Sequence, residues 1–414
     1  MKIYETSSGK SYRTPFFLIT SLFFLWGFAH AILEVLNPHF KQLIHLSNEK
    51  AAWVQAATYA AYFLMALPAG QIIRKYGYRG GVLTGLCLYG IGALLFLPIC
   101  LMQGTMSTDI LFNFFVGALF VLGCGLACLE TSANPYVTVL GDPSKAESRI
   151  NLSQSLNGLG QICGPLIGGL VFFGGVAEAA GSAESEPSVM SVAIPYTVMG
   201  IAVLFVALLF KRSELPEVND NDESTTAETS SLPLYKRPVF IFGVICLGLY
   251  CAAQTGINAN FIAYMKSNGM EEGIASRYLA IGGMGLFMLG RMLGAWLMQY
   301  IRAARMLLIQ ALGASVATLI VIFAGGYSAL YALFFIYLME SIMFPTIFAL
   351  SLRGLNAGQT KLASSILIMS IVLGGVAPLI MGRIADTSSI ANAFFVPLVC
   401  YVIISAFSLT VKKV

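Results

Sequence analysis

The chain has 414 residues, of which 57% are hydrophobic and only 11% are charged. Soluble domains carry about 25% charged residues, so this composition excludes an ordinary soluble fold and indicates a protein that lies largely in a membrane. The formal net charge of +4 is small and scattered, which gives no basic tract for nucleic-acid binding. The eight cysteines fall in apolar runs without metal-ligand spacing, so we expect neither a disulfide framework nor a metal or other cofactor.

The first apolar segment follows two basic residues, Lys10 and Arg13, and could imitate a signal peptide. The small residues that flank His30 resemble a cleavage site. However, the helical pattern continues to about Phe40, and eleven similar segments follow it. We therefore predict a retained first membrane helix.

Apolar segments recur along the whole chain. A helix that crosses a hydrocarbon core of about 30 Å needs about 20 mostly apolar residues. The segments of this length are 15–38, 51–73, 79–101, 109–135, 152–175, 191–211, 238–264, 276–300, 304–325, 328–351, 361–383 and 390–410. The polar, acidic stretch 212–236 is typical of a flexible linker. The sequence thus predicts an all-α integral membrane protein of twelve transmembrane helices, with six-helix halves at 1–211 and 237–414.

The distribution of Lys and Arg predicts the orientation. With a cytoplasmic N-terminus, 18 of the 24 Lys and Arg residues fall on the inner side and five on the outer side, and Arg291 lies inside the eighth segment. Cytoplasmic loops of membrane proteins are enriched in Lys and Arg. We therefore predict that both termini and the linker are cytoplasmic.

The two halves share short motifs in register. Glu130 and Pro135 in the fourth segment correspond to Glu340 and Pro345 in the tenth, with four residues between acid and proline in each case. A Pro-Leu-Ile motif recurs in the fifth and eleventh segments. This pattern favours duplicated halves related by an axis along the membrane normal, which is typical of transporters that bind substrate between their halves.

Three acidic residues lie in the middle of predicted membrane helices, namely Glu34, Glu130 and Glu340. Burial penalises a charged carboxylate, so each could bind and release a proton as access alternates. We assign proton coupling to Glu34 and Glu130. For Glu340 and Arg291 the sequence leaves open a secondary coupling role or an ion pair.

Polar side chains inside the apolar segments are candidates for substrate binding. The fifth segment carries four amides at helical spacing on one face, and amides both donate and accept, which suits the hydroxyl groups of a neutral sugar. The alternative for each residue is a hydrogen bond that joins two helices. The candidates are His30, Glu34, Gln55, Glu130, Asn134, Asn151, Gln154, Asn157, Gln254 and Asn258.

Several stretches resemble the fucose–proton symporter family of the major facilitator superfamily, which also includes glucose/galactose and N-acetylglucosamine permeases. They are 23–29, 128–135, 151–157, 341–348 and 364–382. The resemblance implies the major facilitator fold and proton-coupled uptake of a monosaccharide by alternating access across a bacterial inner membrane. It places the family's fourth-helix glutamate at Glu130 and its fifth-helix amides at Gln154 and Asn157. We expect a functional monomer.

The chain also departs from that family pattern. The first-helix acid of the family is commonly aspartate, whereas this chain has Glu34, and the two asparagines that precede it are replaced by His30 and Ala31. These differences favour another hexose or an amino sugar over fucose. Sodium is an alternative coupling ion, and a proton-driven exporter of amphipathic compounds is an alternative function. We do not expect a membrane enzyme because no catalytic cluster is recognisable.

Overall fold

The computed structural model describes residues 5, 11–43, 48–102, 105–168, 190–212 and 233–411. Within these ranges it describes all side chains except those of 29–30, 32–43, 48–56, 108, 165–168, 190–192, 272 and 357. The regular structure of the described residues is helical, apart from an isolated β-bridge between Glu5 and Ser11.

The described chain forms sixteen α-helices. They are α1 (Arg13–Leu43), α2 (Asn48–Leu94), α3 (Phe96–Leu101), α4 (Thr108–Val139), α5 (Ala146–Gly168), α6 (Met190–Arg212), α7 (Pro238–Ser267), α8 (Glu272–Arg277), α9 (Met284–Leu297), α10 (Ala303–Ala324), α11 (Gly326–Glu340), α12 (Met343–Leu352), α13 (Ala357–Met369), α14 (Leu373–Thr387), α15 (Ile390–Ala393) and α16 (Phe395–Val411). A π-helix (Tyr278–Gly283) joins α8 to α9, and 3₁₀ turns lie at Pro143–Lys145, Leu234–Lys236 and Ser370–Val372.

Several predicted segments are divided or merged in the structure. The second and third run together in α2, with a break at Gly77, where φ is 72°, a backbone conformation that glycine adopts readily. The eighth comprises α8, the π-helix and α9, and the tenth comprises α11 and α12, which are separated at Ser341 and Ile342. The described part of each of the twelve predicted segments is helical apart from short turns, such as the one at Ser341 and Ile342.

Within the described residues, nine stretches are long and apolar enough to cross a membrane, and the longest, Ala57–Leu101, holds two predicted segments. The remaining predicted spans are α1, whose described apolar part is Arg13–Phe28, and α5, which is rich in polar residues. Residues 213–232 of the predicted linker lie outside the described part of the chain. The boundaries of the two halves therefore stay predictions.

The helices pack as two groups that meet along a common surface. In the first group α1 packs against α5, and α2 packs against α4 and α6. In the second group α7 packs against α14 and α16, and α10 packs against α11 and α16. Between the groups, α5 contacts α9 and α12, while α2 and α4 contact α13. We call this contact between the groups the seam.

Two glycines bring the backbones of α1 and α5 together. A Cβ atom added to Gly160 would lie 2.6 Å from the backbone nitrogen of Phe28. A Cβ atom added to Gly27 would overlap the backbone carbonyl of Asn157. Because neither position has room for a side chain, the backbones of α1 and α5 lie in close contact at these two glycines.

Candidate functional site

The carboxyl group of Glu130 is buried in α4 beside the seam. The residue is only 9% exposed, and its carboxyl group shares a hydrogen bond with the hydroxyl group of Tyr62 in α2. A carboxylate withdrawn from water is costly in its charged form unless it is paired. Glu130 is therefore placed to hold a proton or to attract a cation.

One turn along α4, the buried Asn134 faces α5. Gln154 donates a hydrogen bond from Nε2 to Asn134 Oδ1 over 3.1 Å. The Nδ2 atom of Asn134 has no hydrogen-bond partner among the described residues. A buried donor without an acceptor costs about 1–3 kcal/mol, so an oxygen atom of a ligand would be stabilised at this point.

Arg291 of α9 reaches across the seam to Gln154. Its Nη1 donates to the backbone carbonyl of Gln154 over 3.0 Å and lies 3.4 Å from the side-chain Oε1. Its Nε donates to the carbonyl of Ser341 over 2.9 Å, and the guanidinium lies 4.4 Å from the ring centroid of Phe287. Arg291 also interacts electrostatically with Glu130. This one side chain thus joins the two helix groups at the candidate site.

Glu340 lies in the second group, as the last residue of α11, and is fully buried. The hydroxyl group of Tyr401 in α16 donates to Glu340 Oε1. The Oε2 atom has no partner among the described residues. Glu340 and Arg291 do not form the ion pair that the sequence left open, because the guanidinium is directed to Ser341 and Gln154 instead.

The predicted amide face of α5 divides between two neighbours. Asn151 Nδ2 lies 3.3 Å from Thr346 Oγ1 across the seam. Asn157 Nδ2 donates to the carbonyl of Phe23 in α1 over 3.1 Å, within the first group. In this conformation both side chains hold helices together, and Gln154 is the amide that contacts Asn134 and Arg291.

The remaining candidates lie elsewhere or outside the described side chains. Gln254 and Asn258 are half-buried on α7, and Asn258 Oδ1 accepts a hydrogen bond from the Tyr337 hydroxyl group over 2.7 Å. α1 and α2 contain three further candidates whose side chains are outside the described part, namely His30, Glu34 and Gln55.

A match to a known family decides what kind of protein this is. Residues 16–377 match the family model described as Major Facilitator Superfamily. The chain belongs to the major facilitator superfamily. It is a multi-pass membrane transporter and not an enzyme, which confirms the predicted fold class of two pseudo-symmetric six-helix halves.

Individual relatives of the transporter cover nearly its whole length. It is 35% identical to the L-fucose-proton symporter of Escherichia coli strain K12, over 98% of this chain and 94% of that protein. It is 33% identical to the glucose/galactose transporter of Brucella abortus, over 99% and 97% of the two chains. A solved structure of the fucose:proton symporter of Escherichia coli is 33% identical, with a TM-score of 0.84 over 97% of this chain and 99% of that one. The predicted family is thereby confirmed.

Four tyrosines lie near the buried acids of this transporter, and none of them was among the candidates predicted from the sequence. Tyr250 lies beside both Arg291 and Glu340. The signal available in the sequence was a tyrosine within an apolar segment, because a buried hydroxyl group needs a polar neighbour. The missed residues are Tyr62, Tyr250, Tyr337 and Tyr401, each at most 6% exposed.

Proposed function

We propose that the protein is a secondary active transporter that takes up a neutral monosaccharide together with protons. The observation that carries this proposal is the buried acid Glu130 beside the seam, one turn along α4 from the buried Asn134, whose side chain accepts a hydrogen bond from the buried Gln154 of α5. Amides supply the donors and acceptors that sugar hydroxyl groups require, and a buried carboxyl group can carry a proton across a membrane. The printed names of the relatives, which specify L-fucose-proton symport and glucose/galactose transport, support the same substrate class.

In the proposed cycle, a proton on Glu130 changes the strength of the contact across the seam. An ionised Glu130 attracts the guanidinium of Arg291, which holds Gln154. Protonation of Glu130 removes that attraction, so the contact of Arg291 with Gln154 weakens. The side-chain amide of Gln154 then becomes available to a sugar hydroxyl group. Glu34 is the second proposed coupling acid, on the basis of its position in the first predicted helix.

The proposed substrate site extends beyond these residues. It includes the amides that line α5 and α7 and the polar residues of α1 and α2. Hexoses, deoxyhexoses and N-acetylhexosamines all fit this chemistry, because each presents several hydroxyl groups to the amides. The proposed set is His30, Glu34, Gln55, Glu130, Asn134, Asn151, Gln154, Asn157, Gln254 and Asn258.

We also propose that the transporter works as a monomer in a bacterial inner membrane, with both termini and the linker 212–236 in the cytoplasm. The excess of Lys and Arg on the inner side, 18 against five, supports this orientation. A reporter that is active only in the cytoplasm, fused to the C-terminus or inserted within the linker, should be active in both fusions. An inactive fusion at either site would contradict the topology.

Uptake into proteoliposomes tests the function. Labelled D-glucose, D-galactose, L-fucose and N-acetyl-D-glucosamine are each supplied with an inward pH gradient, an inward sodium gradient or neither. We expect the pH gradient alone to drive accumulation of at least one sugar and a protonophore to abolish it. Accumulation driven by the sodium gradient at equal pH would show that sodium, and not the proton, is the coupling ion. Extrusion of an amphipathic dye with no sugar uptake would instead identify an exporter.

A further inference from the structure

Glu340 combines complete burial with an unpaired oxygen atom. One carboxyl oxygen accepts from Tyr401, and the other has no hydrogen-bond partner among the described residues. Moving an unpaired carboxylate from water into such surroundings costs several kcal/mol even after the protein relaxes around it. A proton on the carboxyl group of Glu340 would remove this cost in the present conformation.

No base or second acid faces this carboxyl group from the described helices that pack around it. The charged neighbour is Arg291 of α9, whose Nε is bonded to the carbonyl of the next residue, Ser341. The other titratable groups are tyrosines and cysteines, which are neutral at physiological pH. They are Tyr401 and Cys400 from α16, Tyr250 and Cys251 from α7, and Tyr337 from α11 itself.

The membrane helix is broken at this acid. α11 ends at Glu340, and α12 begins at Met343. The carbonyl of Ser341 has no helical donor, because the residue four positions later is Pro345, which has no N–H. It accepts from Arg291 over 2.9 Å, and the same guanidinium donates to the carbonyl of Gln154 across the seam. Breaks in membrane helices are places where transporters hold coupling ions. A continuous path of contacts thus links Glu340 to the candidate substrate site.

We propose that Glu340 is a second proton-binding site, which exchanges its proton when the contact of Arg291 with Gln154 is released. The site lies in the opposite half from Glu130, at the corresponding position of the duplicated motif. Its role in transport rests on the proposed function, whereas proton binding by Glu340 does not. Neutralisation of both acids would then accompany each inward passage of substrate.

Infrared spectroscopy of the full-length protein in lipid bilayers tests proton binding directly. A protonated carboxyl group has a C=O stretching band distinct from that of a carboxylate. We expect Glu340→Gln to remove one such band and Tyr401→Phe to shift the same band to higher frequency, because the carbonyl loses its hydrogen-bond donor. A spectrum in which neither variant alters a protonated carboxyl band would overturn the proposal. If Glu340→Gln does not fold, the band shift in Tyr401→Phe alone tests the proposal.

Exchange of the proton is tested in two ways. In proteoliposomes, Glu340→Gln should carry one proton fewer per substrate molecule than the wild type, and an unchanged count would show a fixed proton and overturn the proposal. In bilayers moved from H₂O to D₂O, the carboxyl band should exchange faster in Arg291→Lys, because an ammonium group cannot bridge two carbonyls in the geometry of a guanidinium. Equal exchange rates would also overturn it. This second test needs no sugar, so it separates failure of the proposal from failure of the proposed transport function.

Discussion

Arg353 donates from Nε to Glu147 Oε1 over 2.6 Å, which joins the end of α12 to the first turn of α5. The arginine side chain is 51% exposed, whereas the glutamate side chain is 4% exposed. The acid is therefore the buried partner, and removal of the arginine leaves a charge poorly solvated. The pair holds the two halves together at the end of the seam where α5 begins.

We predict that Arg353→Gln and Glu147→Gln each lower the melting temperature and that the double variant is less destabilised than the sum of the two. Residues in one ion pair couple by about 0.5–3 kcal/mol. Differential scanning fluorimetry in detergent measures all three variants. Arg302→Gln, at an exposed arginine, is the matched control and should change stability by less than about 0.5 kcal/mol. If the destabilisation of the double variant equals the sum of the two single variants, the ion pair does not stabilise the seam.

Glu130→Gln should abolish accumulation of sugar against a gradient and leave equilibrium exchange intact. Glutamine is isosteric with the protonated acid but cannot release a proton, so binding and conformational change continue without coupling. Uptake and exchange are measured in the same proteoliposome preparation. Asp109→Asn makes the same chemical change in the exposed first turn of α4 and should retain accumulation. Normal accumulation by Glu130→Gln would remove this acid from the coupling role.

Gln154→Ala and Asn157→Ala should have different effects, although the two amides are one turn apart. Gln154→Ala should raise the half-saturating sugar concentration tenfold or more, because an unpaired buried group costs about 1–3 kcal/mol. Asn157→Ala should raise it as well and in addition lower stability, by about 0.5–1.5 kcal/mol, because it removes the bond to the carbonyl of Phe23. Uptake kinetics and melting temperature are measured for both. A stability loss with unchanged affinity in Asn157→Ala would remove that amide from the proposed sugar site.

Gly160→Ala should prevent the close contact of α1 with α5. Its new Cβ atom would lie 2.6 Å from the backbone nitrogen of Phe28, and backbone cannot move aside as a side chain can. We expect a large fall in folded yield on size-exclusion chromatography. Gly158→Ala, two residues earlier on the same helix, is the control, since its Cβ atom would lie 3.6 Å from Met288 Cγ. Equal yields for the two variants would contradict the packing.

Glu34→Gln should keep sugar exchange and lose proton-driven accumulation. Glu34→Asp should keep coupling but weaken binding of the preferred sugar, because the shorter side chain leaves a gap in the site. Sugar-induced proton uptake and equilibrium exchange in proteoliposomes measure the two effects. If Glu34→Gln accumulates sugar with normal proton stoichiometry, coupling depends on Glu130 alone or on Glu130 together with Glu340.

The membrane segments were predictable because their signal is local. A run of apolar residues long enough to cross the bilayer appears in composition alone, and the break that follows Glu340 is the feature of the tenth segment that periodicity did not show. Pro345 indicates that the carbonyl of Ser341 loses its helical donor, but the side chain that replaces this donor depends on packing, and here it is Arg291 from a different helix. Such a contact has no signature within the segment itself.

The candidate site was predictable in its residue types but not in its pairings. The spacing of Gln154 and Asn157 places them near one face of α5, yet an interval of three residues leaves them about 60° apart around the helix axis. That angle is enough for one to meet Arg291 and the other to meet α1. Which neighbour each side chain meets depends on the packing of whole helices. The sequence therefore predicted the types of residue in the site but not which contact each of them makes.

The contact between α1 and α5 also bears on how the chain is assembled during synthesis. The two partners of its hydrogen bond, Asn157 and Phe23, are 134 residues apart. At a synthesis rate of about 5–20 residues per second, α1 waits about 7–27 s after leaving the ribosome before α5 emerges. During that interval the surface of α1 around Gly27 faces lipid or the insertion machinery rather than α5. The first helix therefore has to enter the bilayer without the partner that later fixes it in place.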